Sequence, residues 1–153
     1  MGDVAYEIVE AKRWHCGRLA RAICWERWLA FIEGGFRPHD QLVQVFEISA
    51  IRRTALIDGA PVAMWGVTGT LLSREGGGWL SLTKAAMAHP FALAREVRAQ
   101  LAEISATRQI RIGVAQDDSA AVRFATFFGF KREGEPLRLP DSGLWMVPMR
   151  FGG

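Results

Sequence analysis

The spacing of hydrophobic and polar residues switches repeatedly between strand and helix periods along the chain. Tyr6 to Val9 alternate apolar with polar, which predicts a short edge strand. From His15 to Phe31 the spacing turns helical. Leu19, Ala22, Ile23 and Leu29 make a buried stripe, Arg18, Arg21 and Arg27 face water, and Gly34 and Gly35 stop the run. Asp40 is placed to cap a second helix carrying Leu42, Val43, Phe46 and Ile51. The middle of the chain reads as strands. Thr54–Ile57 and Pro61–Val67 flank Asp58-Gly59, a hairpin signal because glycine accepts the positive φ of a tight turn. Gly76, Gly77 and Gly78 read as a flexible turn before a strand from Trp79 to Thr83.

Helical spacing returns after His89-Pro90, with Leu93, Val97, Leu101 and Ile104 on one face and Pro90 suited to the first helical position. Ile110–Val114 predicts a strand, and Asp118 caps a helix from Ser119 to Phe128 that Gly129 ends. Phe130 opens a strand-like segment, Glu133–Ser142 reads as loop, and Leu144–Pro148 as a last short strand. Strand, two helices, three strands, helix, strand, helix and two strands imply one α/β or α+β domain over residues 1–153, not a bundle or a barrel.

Composition narrows the class. A chain of 153 residues, half of them hydrophobic, buries about two thirds of its extended surface and needs no staples. Two cysteines, Cys16 and Cys24, do not make a disulfide framework, and with no further ligands nearby they read as inert thiols rather than a metal site. The net charge of +3 comes from Lys and Arg spread along the chain, so nucleic acid is not an expected partner. The longest apolar runs are too short to cross a membrane, and the acidic start does not resemble a signal peptide. The expectation is therefore a cytoplasmic protein with no membrane partner. Trp14, Trp25, Trp28, Phe31 and Phe36 cannot all face one side of a helix, which leaves some aromatic surface for a substrate mouth or a partner.

The order of elements, together with Asp118-Ser119-Ala120-Ala121 and the helix ending Phe127-Phe128-Gly129-Phe130, resembles the GCN5-related N-acetyltransferase (GNAT) superfamily. Ala121, Gly129 and Phe130 match its pattern, and Asp118 stands where asparagine is usual. The His-Pro start of the third helix also resembles a divergent phage and prophage branch, whose members would be cytoplasmic or virion-associated. The resemblance implies a mixed, mostly antiparallel sheet flanked by helices, with one parallel strand pair splayed apart to admit acyl-CoA. Here that pair is Trp79–Thr83 with Ile110–Val114. It implies an acyl-CoA-dependent N-acyltransferase, with acetyl-CoA or another acyl-CoA as cosubstrate, no metal, a small-molecule or protein amine as acceptor, and a fold compatible with a homodimer.

The implied cosubstrate contacts are Leu82, whose backbone N–H polarises the thioester carbonyl, with Thr83, His89, Phe91 and Ala92 at the following helix start, Asp118, and Arg123 for a phosphate. Two positions depart from the pattern. Pro90 stands where the pyrophosphate loop has glycine, and Ala125 stands where many members carry the tyrosine that protonates the leaving thiolate. Aminolysis also needs a base, and Glu47, His39 and Asp117 are the candidates. The alternative is a non-catalytic protein of the same fold, retained for structure or partner binding.

Overall fold

The computed structural model describes residues 5–22, 37–69, 74–140 and 143–152. In chain order these form β1 (Glu7–Glu10), α1 (Arg13–Ala22), α2 (Pro38–Ile48), β2 (Ser49–Ile57), β3 (Ala60–Thr68), β4 (Glu75–Leu82), α3 (Lys84–Met87), α4 (Pro90–Ser105), β5 (Gln109–Ala115), α5 (Ser119–Phe127), β6 (Phe130–Arg132), β7 (Leu137–Arg138) and β8 (Trp145–Phe151). The strands make one sheet in the order β1-β2-β3-β4-β5-β8-β6, with β7 also on β8. Among the described residues only β4 and β5 run parallel; every other pairing is antiparallel. The mixed α/β class and the single parallel pair are as the sequence implied.

The β2–β3 hairpin turns where expected, with Asp58 at φ 50° and Gly59 at φ 79°, the two positive angles that a tight hairpin turn demands. Elsewhere the boundaries move for physical reasons. α2 begins at Pro38, whose missing N–H costs nothing in a first turn; Asp40 lies inside that turn instead of capping it, and Ile51 belongs to β2. Gly76–Gly78 are strand, not turn. A Cβ on Gly76 would lie 2.3 Å from the Val67 side chain, and one on Gly78 would lie 2.8 Å from Ile112. The glycines are there to let neighbouring strands close in. β8 runs three residues beyond Pro148, and the segment read as loop contains β7. The predicted positions at Ile23, Cys24, Trp25, Arg27, Trp28, Leu29, Phe31, Gly34, Gly35, Phe36 and Ser142 lie outside the described residues.

Two clusters sandwich the sheet. On one face α1 and α2 bury Cys16, Leu19, Leu42 and Phe46 against Met64 and Trp79. On the other, α4 and α5 bury Leu93, Val97, Leu101, Ala125 and Phe128 against Trp65, Val67 and Ile110. The first face is also held by buried polar contacts. His15 Nδ1 accepts the Lys12 N–H at 2.9 Å and lies 2.9 Å from the Thr54 hydroxyl, while Trp79 Nε1 donates to Ser49 Oγ at 2.8 Å. Burial, helped by the Lys12 charge, lowers the His15 pKa below 6.5, so the imidazole is neutral and free to accept. Burial likewise raises the Cys16 thiol, which makes it a packed apolar group and not a nucleophile.

Candidate functional site

β4 and β5 are only partly zipped. Their parallel register runs Glu75↔Gln109, Gly76↔Ile110 and Gly77↔Arg111, and ends there, although β4 continues to Leu82 and β5 to Ala115. The directions of the backbone groups beyond that point follow from their neighbours. Gly77 N–H donates to the Thr68 hydroxyl at 2.9 Å and Thr83 N–H to the Val62 carbonyl at 3.0 Å, both toward β3. Alternation along the strand therefore turns the peptide groups of Leu80 and Leu82 toward β5. On β5, Gln109 N–H donates to the Arg74 carbonyl at 2.7 Å on the β4 side, and Gln116 N–H to the Trp145 carbonyl at 2.9 Å on the β8 side. By the same alternation Gly113 and Ala115 face β4. Two strand edges thus present donors and acceptors to one another across a gap, with no strand between them to bond.

That gap is a cavity of about 410 Å³. Its wall comes from both faces of the sheet. Leu80, Leu82, Val97, Leu101, Phe124 and Phe128 line it on the α4/α5 side, and Gln41, Trp79, Ser81 and Met146 on the α1/α2 side. The opening therefore passes through the sheet. Gly113 is part of the wall, and a Cβ there would make only ordinary contact with Met146, at 3.6 Å. Trp65 also contributes to the wall, and its indole N–H is buried without a hydrogen-bond partner.

The residues singled out in the sequence divide sharply. Leu82 and Asp118 line the cavity. Asp118 caps α5, its carboxylate accepting the Ala121 N–H at 2.9 Å. Ala125, at the tyrosine position of the pattern, is buried in the wall. The other candidates do not line it. Glu47 is exposed on α2 and pairs with Arg13 at 3.0 Å; His39 is exposed beside Asp40; Asp117 is exposed in the β5–α5 turn; Arg123 is exposed on α5. Thr83 is buried and spends its hydroxyl twice, donating to the Val62 carbonyl at 2.8 Å and accepting the Ala86 N–H at 3.3 Å.

His89, Phe91 and Ala92 sit elsewhere because of α3, which the sequence reading did not foresee. This short helix, capped by Thr83, lies between the end of β4 and the start of α4. The two N–H groups that follow it bond back onto it, Ala88 N–H on the Lys84 carbonyl at 3.2 Å and His89 N–H on the Ala86 carbonyl at 3.1 Å. The His89 carbonyl in turn accepts the Tyr6 hydroxyl at 3.2 Å, next to the edge strand β1. α4 therefore begins beside Tyr6, and it reaches the cavity from its middle onward, through Val97 and Leu101. Phe91 is 68% exposed and meets the ring of Phe127, itself 52% exposed, edge to face at 5.4 Å. Among the described residues no group of three metal-ligating side chains is present, and no helix is long and apolar enough to cross a membrane.

No family model matches the sequence, and no curated protein matches it. Solved structures do. The ribosomal-protein-S5-alanine acetyltransferase of Vibrio fischeri aligns over 98% of this chain and 94% of its own, with a TM-score of 0.65 and 13% identity. The PaiA N-acetyltransferase of Thermoplasma acidophilum, solved in complex with coenzyme A, aligns over 94% and 98%, with a TM-score of 0.63 and 14% identity. A GNAT-family acetyltransferase of Streptococcus pneumoniae aligns over 95% and 98%, with a TM-score of 0.60 and 15% identity. Identities this low speak for architecture. Over the aligned 94–98% of its length the chain has the GNAT fold.

Proposed function

We propose that the protein is an N-acyltransferase that moves an acyl group from a pantetheine thioester, of which acyl-CoA is the familiar form, to an amine. One observation carries this reading: β4 and β5 unzip after three residue pairs and leave an apolar passage through the sheet, edged by unbonded peptide groups. A pantetheine arm is a slender chain with two amides. It satisfies backbone donors and acceptors on either side much as a strand would, and the same geometry leaves its thioester inside an apolar wall. A gap walled from both faces of the sheet suits a donor approaching from one side and an amine from the other, as direct transfer in a ternary complex requires.

In that transfer the amine nitrogen bonds to the thioester carbon, the C–S bond breaks, and the amine proton ends on the thiol or on water. The N–H groups of Leu80 and Leu82 point into the gap and are suited to hold the carbonyl oxygen as negative charge builds on it. The wall supplies no tyrosine for the departing thiolate, because Ala125 occupies that place. Proton movement is therefore assigned to solvent in the passage, with Gln41 and Ser81 as its polar neighbours. The acceptor enters from the α1/α2 side.

The test is calorimetric titration with acetyl-pantetheine and acetyl-CoA, followed by product analysis over a set of amines. Saturable binding of acetyl-pantetheine is expected; no heat at millimolar ligand would overturn the reading. A second reading, a non-catalytic partner-binding protein of phage or prophage origin with this fold, draws on Ala125 and on the internally bonded turn at Thr83–His89. It predicts no acetyl transfer to any amine.

A further inference from the structure

The passage suits a pantetheine arm, but the place where a nucleotide diphosphate would be gripped is built differently. Free N–H groups at a helix start are what hold a pyrophosphate. After β4 several of those groups are already bonded: the Ala86 N–H to the Thr83 hydroxyl, and those of Ala88 and His89 to the Lys84 and Ala86 carbonyls, while Pro90 has none to offer. The next N–H groups, on Phe91 and Ala92, lie at the start of α4, which sits beside Tyr6 and lines no part of the cavity.

The outer surface of the two helices that wall the passage has a different character. On α4, Phe91, Arg95 and Arg98 follow one another at helical spacing, and all three are exposed. On α5, Arg123 and Phe127 do the same. The Phe91–Phe127 ring contact and the Arg98 Nη1 bond to the Phe127 carbonyl at 3.4 Å join the two helices into one surface. The carboxylates of α4, Glu96 and Glu103, lie roughly 140° and 120° round the helix from Phe91. The result is a basic patch with an exposed aromatic pair at its centre, the composition that meets an acidic protein surface rather than solvent.

Resting on the acyltransferase reading, we infer that the acyl donor is carried on a protein: a 4′-phosphopantetheine arm borne by an acidic carrier protein that docks on Phe91, Arg95, Arg123 and Phe127 while its arm enters between β4 and β5. Such a donor has no nucleotide to seat and gains its affinity from the patch.

The experiment compares the dissociation constants of acetyl-pantetheine, acetyl-CoA and acetylated acyl carrier protein for the full chain. The carrier is expected to bind at least 10-fold tighter than acetyl-CoA, and acetyl-CoA within 2-fold of acetyl-pantetheine. The double variant Arg95→Glu/Arg123→Glu should weaken the carrier at least 10-fold and leave acetyl-pantetheine unchanged, which also shows that the variant is folded. Acetyl-CoA binding 10-fold tighter than acetyl-pantetheine would reveal a nucleotide seat and overturn the inference while keeping the acyltransferase reading. So would a carrier that binds no tighter than acetyl-CoA, or one indifferent to the double variant. Failure of all three ligands to bind would remove the acyltransferase reading itself, and this inference with it.

Discussion

The two faces of the sheet are built on opposite terms. The α1/α2 face is closed by specific polar contacts: His15 with Lys12 and Thr54, Trp79 with Ser49, and the Arg52 guanidinium stacked 3.8 Å over the Phe46 ring and bonded to its carbonyl. The α4/α5 face is apolar and holds most of the cavity wall. One face fixes the register of β2, β3 and β4; the other is left with space. A cavity of this size costs packing energy, and the face opposite most of its wall is the one held by specific polar contacts. Small residues hold the balance on both sides.

The largest effect is expected where that rigid face has no slack. A Cβ at Gly66 would lie 2.4 Å from the Ile51 carbonyl oxygen and 2.8 Å from the Trp79 ring, and neither backbone nor a hydrogen-bonded indole gives way cheaply. Gly66→Ala should therefore cost about 3 kcal/mol of stability, read from a urea midpoint. An unchanged midpoint would mean that the Trp79 contact is not a fixed point of the fold. On the open face the same addition of bulk should behave in the opposite way. Ala121 lines the cavity at the start of α5, so Ala121→Phe fills empty space. We expect acetyl-pantetheine affinity to fall at least 10-fold with a shift in Tm of only a few degrees. A large loss of stability would show that the cavity is not open space at all.

How much of this was legible in the sequence follows the same division. The fold was readable because its elements are local: the hairpin at Asp58-Gly59, the Asp118 cap and the Gly129 stop each act within a few residues. The splayed pair could be inferred only by resemblance, since nothing in Trp79–Thr83 or Ile110–Val114 shows where pairing stops. Gly76–Gly78 carried that information in a form easily misread. Three successive glycines suggest a turn, whereas two of them serve close approach to Val67 and Ile112 on the two neighbouring strands. The site residues fared worst. Glu47, His39 and Asp117 were chosen for their chemistry, and chemistry does not reveal which way an exposed helix or turn faces. α3 was hidden too, although Thr83 followed by Lys84-Ala85-Ala86 is a capping residue ahead of good helix formers.

The buried imidazole gives a smaller and pH-dependent way to loosen the closed face. His15 has a folded-state pKa below its unfolded value of 6.5, so the unfolded chain takes up a proton first as pH falls. Its contribution to stability is fully present above pH 6.5 and is lost as pH drops through the folded pKa. Protonation would also set an N–H at Nδ1 against the Lys12 N–H it now accepts. Urea midpoints should therefore be lower at pH 5 than at pH 7.5, and His15→Asn, which keeps an acceptor near Nδ1, should flatten that dependence. An equal slope in the variant would place the titration on other groups.

The smallest effect is the most discriminating. A helix start that gripped a diphosphate would be ruined by a carboxylate, because the two anions would compete for the same N–H groups and the same end of the dipole. Pro90→Glu is that carboxylate, at the first position of α4. Here the N–H groups of Ala86, Ala88 and His89 in the preceding turn are already bonded, and the His89 carbonyl at the helix start accepts the Tyr6 hydroxyl. The substitution should change acetyl-CoA affinity by less than 2-fold, and glutamate in a first helical turn is well tolerated. A 10-fold loss would show that α4 does reach the nucleotide, and that the contrast between a gripping face and an open one must be redrawn with the start of α4 inside the site.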